Sequence, residues 1–177
     1  MNNSHSKTLV IDASVARAAG DEEATHPTSV VARNFLQEVL TIRHKAIMTP
    51  AIRDEWDIHQ SNFARKWRRI MLSKKKLILT NLEKRLDLRK KVETKNISQI
   101  KKTEMLKDFH LIEAAIATDR RIISLDDSAQ KLFCDLSKSF TEMQDVLWVN
   151  PVSGAEYVIS WLKKGAPNED QWKLHKD

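Results

Sequence analysis

Short apolar segments rich in β-branched residues alternate with longer amphipathic segments along this chain. The predicted strands are TLVID (8–12), AIMTP (46–50), RIISLD (121–126) and DVLWVNP (145–151). The predicted helices, which follow or separate them, cover residues 28–44 with Thr28 as the cap, 51–60, 104–119, 127–136 and 153–165. Strands that alternate with helices predict an α/β fold, in which a parallel sheet is covered by helices on both faces.

The length of 177 residues suits one domain, which we place at residues 1–165 and follow with a polar tail at 166–177. No apolar run approaches the roughly 20 residues of a membrane span, so we expect no membrane partner. Cys134 is the only cysteine, and the first residues lack the apolar region of a signal peptide. We therefore expect a cytoplasmic protein without an intrachain disulfide. Three glycines are too few for a glycine-rich phosphate loop or a dinucleotide-binding fingerprint.

Positive charge is concentrated in the middle of the chain. Residues 61–107 contain sixteen Lys or Arg and four Asp or Glu, a local net charge of +12, which leaves −6 for the remainder of the +6 chain. We interpret residues 61–104 as a basic helical insertion, and such a segment on an acidic body favours a polyanionic partner. The alternative is a helical hairpin whose charged faces are simply solvated.

Four acidic residues occupy positions where a strand or helix usually places an apolar residue. Asp12 and Asp126 end two predicted strands, and ligands of parallel α/β sheets bind at the carboxyl ends of the strands. Asp108 lies along the apolar seam of its helix, and Glu55 flanks the stripe formed by Ala51 and Ile52.

Each acid also has a plain structural interpretation. Asp12 or Asp126 could cap the helix that follows it, and Glu55 or Asp108 could be half exposed or paired with a basic side chain. Together the four favour a common site, because clustered carboxylates repel one another unless a cation neutralises them. Carboxylate oxygens suit Mg²⁺ or Mn²⁺, which activate water and hold phosphate oxygens.

These residues resemble those of the PIN-domain family, compact metal-dependent nucleases that include the VapC-like toxins of toxin–antitoxin pairs. The matching pieces are VIDASV, the Glu55 of TPAIRDEW, and KDFHLIEAAIATDRRIISLDDSAQKLF. Asp108 and Asp126 are 18 residues apart, and the strand end reads Ser124-Leu125-Asp126, as in the family's pattern of a helical Asp before a (Thr or Ser)-x-Asp strand end.

The resemblance implies a three-layer α/β/α sandwich, one or two Mg²⁺ or Mn²⁺ ions, and cleavage of phosphodiester bonds, usually in RNA. By the family's pattern the metal ligands and catalytic residues are Asp12, Glu55, Asp108 and Asp126, supported by Ser14 and Ser124, with Asp127 as a substitute for Asp126. We assign Asp12, Asp108 and Asp126 to the tighter ion, and Glu55 to a second ion or to the attacking water. The family also suggests an antitoxin partner. The sequence leaves open whether the protein forms a homodimer.

The cluster RKWRR and the lysines after it are the predicted nucleic-acid contacts. They comprise Arg65, Lys66, Trp67, Arg68, Arg69, Lys74, Lys75 and Lys76. Trp67 could stack on a base, or it could pack the basic segment onto the body of the protein. The six histidines fit no zinc spacing, and we expect them at the surface or the edge of the core.

Two other functions compete with a metal-dependent endoribonuclease. One is a protein that keeps the fold but only binds nucleic acid or serves as a scaffold. The other is a small phosphotransferase-like enzyme with an Asp nucleophile, which is disfavoured because no second Asp follows Asp12 by two residues.

Overall fold

The computed structural model describes residues 6–175, so His5 and the last two residues of the predicted tail, Lys176 and Asp177, lie outside the described residues. Five strands form a single sheet in the order β3-β2-β1-β4-β5. Their bounds are β1 Thr8–Ile11, β2 Lys45–Met48, β3 Leu77–Leu79, β4 Arg121–Ile123 and β5 Leu147–Val149. Every pair of neighbouring strands is parallel, as the alternation of strands and helices predicted.

Helices connect the strands and cover both faces of the sheet, which makes a three-layer α/β/α sandwich. They are α1 Ala13–Ala18, α2 Pro27–Ile42, α3 Pro50–His59, α4 Asn62–Ser73, α5 Leu86–Thr94, α6 Gln99–Ile116, α7 Asp127–Ser137, α8 Thr141–Gln144 and α9 Ala155–Lys163, with a 3-10 turn at Asp170–Trp172. Helix α2 packs on α4 and α9, whereas α6 packs on α5, α7 and α8. Within residues 6–175, none of these helices has the length and apolar character needed to cross a membrane.

The register of the sheet determines which residues meet at its carboxyl edge. Ile11 of β1 is the partner of Ile123 of β4, and Ile123 is the partner of Val149 of β5. Because the strands are parallel and in register, Asp12 and Ser124 leave the sheet side by side. The acids at the two strand ends are thereby brought to one edge.

Large aromatic side chains fill the space between the sheet and its helices. Trp56, Trp67, Trp148 and Trp161 are all buried almost completely. Trp56 and Trp67 stack with ring centroids 5.8 Å apart, and Trp67 Nε1 donates a hydrogen bond of 2.6 Å to the carbonyl of Leu36. Each such ring removes roughly 150–250 Å² from water, which contributes several kcal/mol to stability.

The basic segment at residues 61–104 is helical for much of its length, but it also supplies strand β3. Ala46 of β2 pairs with Leu77, so this part of the chain completes the sheet. The helix interpretation missed β3 because the three apolar residues follow a run of lysines. Helix α4 ends before that run, where Lys75 adopts a left-handed conformation with φ of 55°. Helix α6 begins earlier than predicted because Ser98 caps it and accepts a hydrogen bond from the backbone of Lys101.

The predicted cap of α2 was also wrong. Pro27 occupies the first turn of the helix, where its fixed φ is already helical and its missing N–H is not needed. The residue before it, His26, is the N-terminal boundary and makes no side-chain capping bond. The helix ends at Ile42 because Arg43 takes the left-handed conformation, with φ of 70°.

Candidate metal-binding site

Asp12 follows strand β1 and is held in one orientation by two serine hydroxyls. Ser14 Oγ and Ser124 Oγ donate hydrogen bonds of 2.5 and 2.7 Å to Asp12 Oδ2. Asp12 is the N-cap residue of α1, yet its side chain makes no capping hydrogen bond, so capping does not account for its carboxylate. From residues 6–175, Oδ1 receives no hydrogen bond and stays available to a ligand.

The same two serines tie the loop after β1 to the loop after β4. Ser14 Oγ accepts a 3.0 Å hydrogen bond from the backbone N–H of Leu125. Ser124 is fully buried, and its Oγ accepts a second hydrogen bond, of 3.0 Å, from the backbone N–H of Asp126. Each hydroxyl therefore joins a backbone donor to the Asp12 carboxylate, which links the positions of Asp12 and Asp126.

Asp126 is a helix cap and also lies in the acidic cavity, so the cap interpretation is confirmed and its metal-ligand role stays a prediction. Its Oδ1 accepts a 2.8 Å hydrogen bond from the N–H of Ala129 and caps α7, while the residue lines the same cavity as Asp12. Asp127 does not line this cavity, and its Oδ1 accepts a hydrogen bond of 2.9 Å from the amide of Asn150. The structure thus gives no support to Asp127 as a substitute, because its side chain is engaged elsewhere.

Asp108 projects from α6 toward the cavity and is half buried. Burial raises the pKa of Asp108 to about 6, the positive charge of Lys107 opposes this, and the negative charges of Asp12 and Glu55 add to it. No donor among residues 6–175 forms a hydrogen bond with this carboxylate. The charged form of Asp108 therefore carries a cost of burial that Lys107 offsets only in part, and a bound cation would relieve the remainder.

Glu55 is oriented by His110, a residue for which the sequence predicted no part in the site. His110 Nε2 donates a hydrogen bond of 3.2 Å to Glu55 Oε2, and His110 Nδ1 lies 3.1 Å from the carbonyl of Lys107. Burial by itself would lower the pKa of His110, but the hydrogen bond and negative charge of Glu55 outweigh it and raise that pKa. Both ring nitrogens face oxygen acceptors, so Nδ1–H and Nε2–H can both donate, which is the arrangement that favours the protonated ring.

The expectation of surface or core-edge histidines was therefore wrong for His110, which is 9% exposed, and for His44, which is completely buried. The helical position of His110, two residues after Asp108, gave no sign of its contact with Glu55. That contact depends on how α3 packs against α6, and no local pattern in the sequence reports such packing.

One cavity of about 150 Å³ collects all four predicted acids and both predicted serines. Its acidic and hydroxyl lining is Asp12, Ser14, Glu55, Asp108, Ser124 and Asp126. Arg17, His59 and Lys107 also line it and were not predicted. Arg17 lies one turn beyond Ser14 on α1, and His59 lies one turn beyond Glu55 on α3. That helical spacing was the available signal for these two residues.

The donor set fits Mg²⁺ or Mn²⁺, because it consists of carboxylate and hydroxyl oxygens from four separate elements. Within the described part of the chain, however, no three His, Cys, Asp or Glu side chains are close enough to hold a metal ion together. Mutual repulsion of like charges opposes closer approach of the acids. Mg²⁺ commonly uses one or two protein carboxylates and keeps several waters.

The predicted nucleic-acid residues divide into different environments. Trp67 is 2% exposed and packs against Trp56, so the base-stacking role was wrong and the packing alternative holds. Lys66 Nζ lies 2.9 Å from Glu22, and Arg68 lies 2.6 Å from Asp57. Arg65 and Arg69 are exposed and line a groove of about 690 Å³ with Lys66, and the acids Asp21, Glu22 and Glu23 line the same groove.

The three lysines before β3 lie at the other end of the sheet. Lys74, Lys75 and Lys76 immediately precede Leu77, whereas the acids follow the carboxyl ends of β1 and β4. Because all strands are parallel, the amino end of β3 and the acidic cavity are at opposite edges. The start of α4, in contrast, is tied to α1 by a 3.1 Å hydrogen bond from Ser61 N to the carbonyl of Ala16.

Comparison of the chain with family models, with curated proteins and with solved structures gives no match.

Proposed function

We propose that this protein is a Mg²⁺- or Mn²⁺-dependent endoribonuclease of the PIN-domain type. The observation that carries the proposal is the cavity in which Asp12, Glu55, Asp108 and Asp126 meet at the carboxyl edge of a parallel sheet. Four different elements supply these acids, and each is apart from the others in sequence. A shared cavity is what a common catalytic role requires, whereas four unrelated caps or surface acids would be scattered over the protein.

The proposed reaction is attack of water on phosphorus, in which an O–P bond forms and the bond to the leaving ribose oxygen breaks. A bound Mg²⁺ or Mn²⁺ would supply Lewis-acid polarisation of the phosphate and a lowered pKa of water. Asp12 would face the ion with its Oδ1, since the two serines occupy Oδ2. Glu55, oriented by His110, would accept the proton of the attacking water, and solvent would protonate the leaving oxygen.

Arg17 and Lys107 provide the positive charge that a phosphate needs beside these acids. Both line the cavity, and both are exposed enough to reach a phosphate that lies across its mouth. The exposed guanidiniums of Arg65 and Arg69 on α4 would bind phosphates of the RNA backbone outside the cavity.

A metal titration combined with a cleavage assay tests the proposal. Mn²⁺ or Mg²⁺ at millimolar concentration should raise the melting temperature of the wild-type protein, because a ligand that binds only the folded state stabilises it. The same ions should support cleavage of a single-stranded RNA that stays intact in EDTA. Folded protein whose melting temperature and RNA products are unchanged by either ion would contradict the assignment.

A non-catalytic nucleic-acid-binding or scaffold protein is the second candidate. It is favoured by the separation of the acids, no three of which, in the described chain, approach closely enough to hold an ion. This candidate predicts RNA binding that is insensitive to Mn²⁺ and survives replacement of Asp12 or Asp108. The nuclease proposal predicts metal dependence for both cleavage and thermal stability.

The biological setting that we propose is a toxin–antitoxin pair in the cytoplasm. The resemblance to VapC-like toxins supports it, and the lone Cys134 agrees with a reducing compartment. A short reading frame directly beside the gene, encoding a protein that co-purifies with this chain and inhibits its cleavage of RNA, is the expected finding. A homodimer is proposed with it, and light scattering of the purified chain measures this directly.

A further inference from the structure

A second cavity lies next to the acidic one and shares a wall with it. Its volume is about 250 Å³, and Lys107 lines both cavities. His110, which orients Glu55, lines the second cavity as well. Lys107 therefore belongs to the walls of both cavities, and α6 contributes further residues to each of them.

The chemistry of the second cavity is opposite to that of the first. Three cations line it, namely Lys84, Arg89 and Lys107, against the one carboxylate of Glu113. That carboxylate is already neutralised, because Arg89 Nε and Nη2 donate hydrogen bonds of 2.7 and 2.6 Å to it. The exposed ammonium groups of Lys84 and Lys107 thus leave the mouth of this cavity positive, which favours an anion rather than a metal ion.

Its walls are suited to one flat, partly polar group. Pro50, Leu82 and Leu106 provide apolar surface, while the amide of Asn81 offers both donors and an acceptor. The volume is several times the roughly 30 Å³ share of one water molecule and falls just below the ~300–1,000 Å³ of most ligand pockets. A single nucleobase matches this size better than a whole nucleotide does.

The Arg89–Glu113 ion pair gives this cavity a fixed shape. Glu113 is 7% exposed, and it also accepts a 2.8 Å hydrogen bond from the backbone N–H of Arg85. These bonds fasten the start of α5 and the loop before it onto α6. Asn81 and Leu82, which belong to that loop, are thereby held in the wall of the second cavity, beside residues of α6.

From this arrangement we propose that the second cavity is a base-binding subsite, which receives one unstacked base of single-stranded RNA adjacent to the phosphate that is cut. The inference rests on the proposed function, since it places the scissile phosphate at the acidic cavity. Lys107 and Lys84 hold the backbone phosphates that flank the base. Asn81 contacts the edge of the base, and Leu82 and Leu106 cover its faces. A base inside a duplex cannot enter, so the subsite selects unpaired RNA.

Fluorescence anisotropy with a labelled, unstructured RNA 12-mer tests this proposal. The cleavage position is first mapped with wild-type protein, and the 12-mer is then made with one base removed at each position in turn. Binding is measured with Asp12→Asn protein, which keeps the RNA intact. One abasic position, beside the cleaved bond, should weaken binding about tenfold, whereas the other positions should change it little.

The double variant Asn81→Ala/Lys84→Gln, made in the same Asp12→Asn protein, should bind the intact 12-mer about tenfold more weakly and lose its sensitivity to that abasic position. Both residues are exposed, so the fold should tolerate the change. The matched control is Asn34→Ala/Lys164→Gln, exposed residues of α2 and the end of α9 that line neither cavity, and it should behave as the parent protein.

Equal effects of all abasic positions, or unchanged binding by the Asn81→Ala/Lys84→Gln variant, would overturn the subsite while metal-dependent cleavage persisted. If the wild-type protein neither cleaves RNA with Mn²⁺ nor binds the 12-mer, the proposed function fails and the subsite fails with it. The mapping step distinguishes these two results before any variant is made.

Discussion

Ser124 donates a hydrogen bond of 2.7 Å to the carboxylate of Asp12, although 112 positions separate the two residues in the chain. The same hydroxyl accepts the N–H of Asp126, so one buried atom joins two of the proposed metal ligands. In metal sites, groups behind the ligands fix ligand orientation and tune affinity. Under the proposed function Ser124 has that relation to Asp12, and its contribution to Mn²⁺ affinity can be measured.

Replacement of Ser124 by Ala should weaken both stability and metal binding. The change leaves the N–H of Asp126 without its acceptor, which should cost about 1–3 kcal/mol of unfolding free energy. Affinity for Mn²⁺ should fall about tenfold or more, because Asp12 loses one of its two restraints.

The control for that experiment is Ser137→Ala. Ser137 is also fully buried, and its hydroxyl donates a 2.8 Å hydrogen bond to the carbonyl of Cys134, outside the acidic cavity. Denaturant melts and Mn²⁺ titrations should show a stability loss in both variants and an affinity loss in Ser124→Ala alone. Equal Mn²⁺ affinities would show that Ser124 has a structural role only.

Asp108→Asn should stabilise the metal-free protein at neutral pH. The pKa of Asp108 is raised to about 6 in the folded protein, so the folded state favours the protonated, uncharged form. Stability that depends on this proton is fully present below the ordinary pKa of 3.8 and is lost as the pH rises through 6.

In EDTA, the unfolding free energy of Asp108→Asn minus that of the wild type should be near zero at pH 4 and about 1–2 kcal/mol at pH 7, because solvent screens part of the effect at this half-buried group. Urea melts across this range give the difference directly. With Mn²⁺ the wild-type protein should instead be the more stable of the two, since the amide of the variant removes a metal ligand. A difference that does not change with pH would mean that the Asp108 carboxylate experiences no unusual environment.

His44 should make the protein less stable as the pH falls below neutrality. Burial is the largest influence on this ring and lowers its pKa. Its Nδ1 accepts a 3.0 Å hydrogen bond from the N–H of Lys7, and Nε2 lies 3.1 Å from the carbonyl of Leu162, so the folded protein holds the neutral ring. Protonation of Nδ1 would remove the acceptor that the Lys7 N–H needs.

The sign of the effect follows from the lowered pKa of His44. The unfolded chain takes up a proton near pH 6.5 and the folded protein does so only at lower pH, so stability is full above 6.5 and declines as the pH drops. The contribution is at most about 1.4 kcal/mol per pH unit. Melts between pH 7 and pH 5 should show this dependence in the wild type and in His26→Gln, an exposed histidine, but less of it in His44→Gln. Equal dependence in all three would exclude His44 as the source.

The two groups of basic residues should differ in their effect on RNA binding. Arg65→Gln/Arg69→Gln removes two exposed charges from the groove on α4, and it should weaken binding and reduce the salt slope by about 1.4. Lys74→Gln/Lys75→Gln removes the same charge at the opposite edge of the sheet and should have a smaller effect. Binding isotherms at several salt concentrations measure both. Identical slopes for the two variants would mean that RNA contact does not depend on the edge at which the charges lie.

The sequence predicted the parallel α/β architecture because each strand signal, such as TLVID or RIISLD, is local and is followed by a clear helical segment. The meeting of Asp12 with Asp126 was predictable for the same reason, since parallel strands present their carboxyl ends together. Strand β3 was missed because three apolar residues after three lysines give too short a signal. The partner of Glu55, His110, was missed because it depends on how α3 and α6 pack.

Trp67 shows why the chemistry of a single residue type is a weak guide. Four basic residues surround it in the sequence, and they suggested a ring that faces RNA. On the helix, however, Trp67 lies on the same face as Ala64 and Met71, which are both buried. That spacing of three and four residues is the signature of a core face, and it was the stronger signal.

Cleavage of a labelled single-stranded RNA by wild-type, Asp12→Asn and Asp127→Asn protein, each with Mn²⁺ and with EDTA, tests the central claim most directly. The two variants make the same chemical change, but Asp12 lines the acidic cavity and Asp127 is bonded to Asn150 outside it. The account predicts Mn²⁺-dependent cleavage by the wild type and by Asp127→Asn, and a loss of at least about 100-fold in Asp12→Asn, as for removal of a group that acts on the transition state. Cleavage by Asp12→Asn at the wild-type rate, or equal cleavage in EDTA, would contradict it.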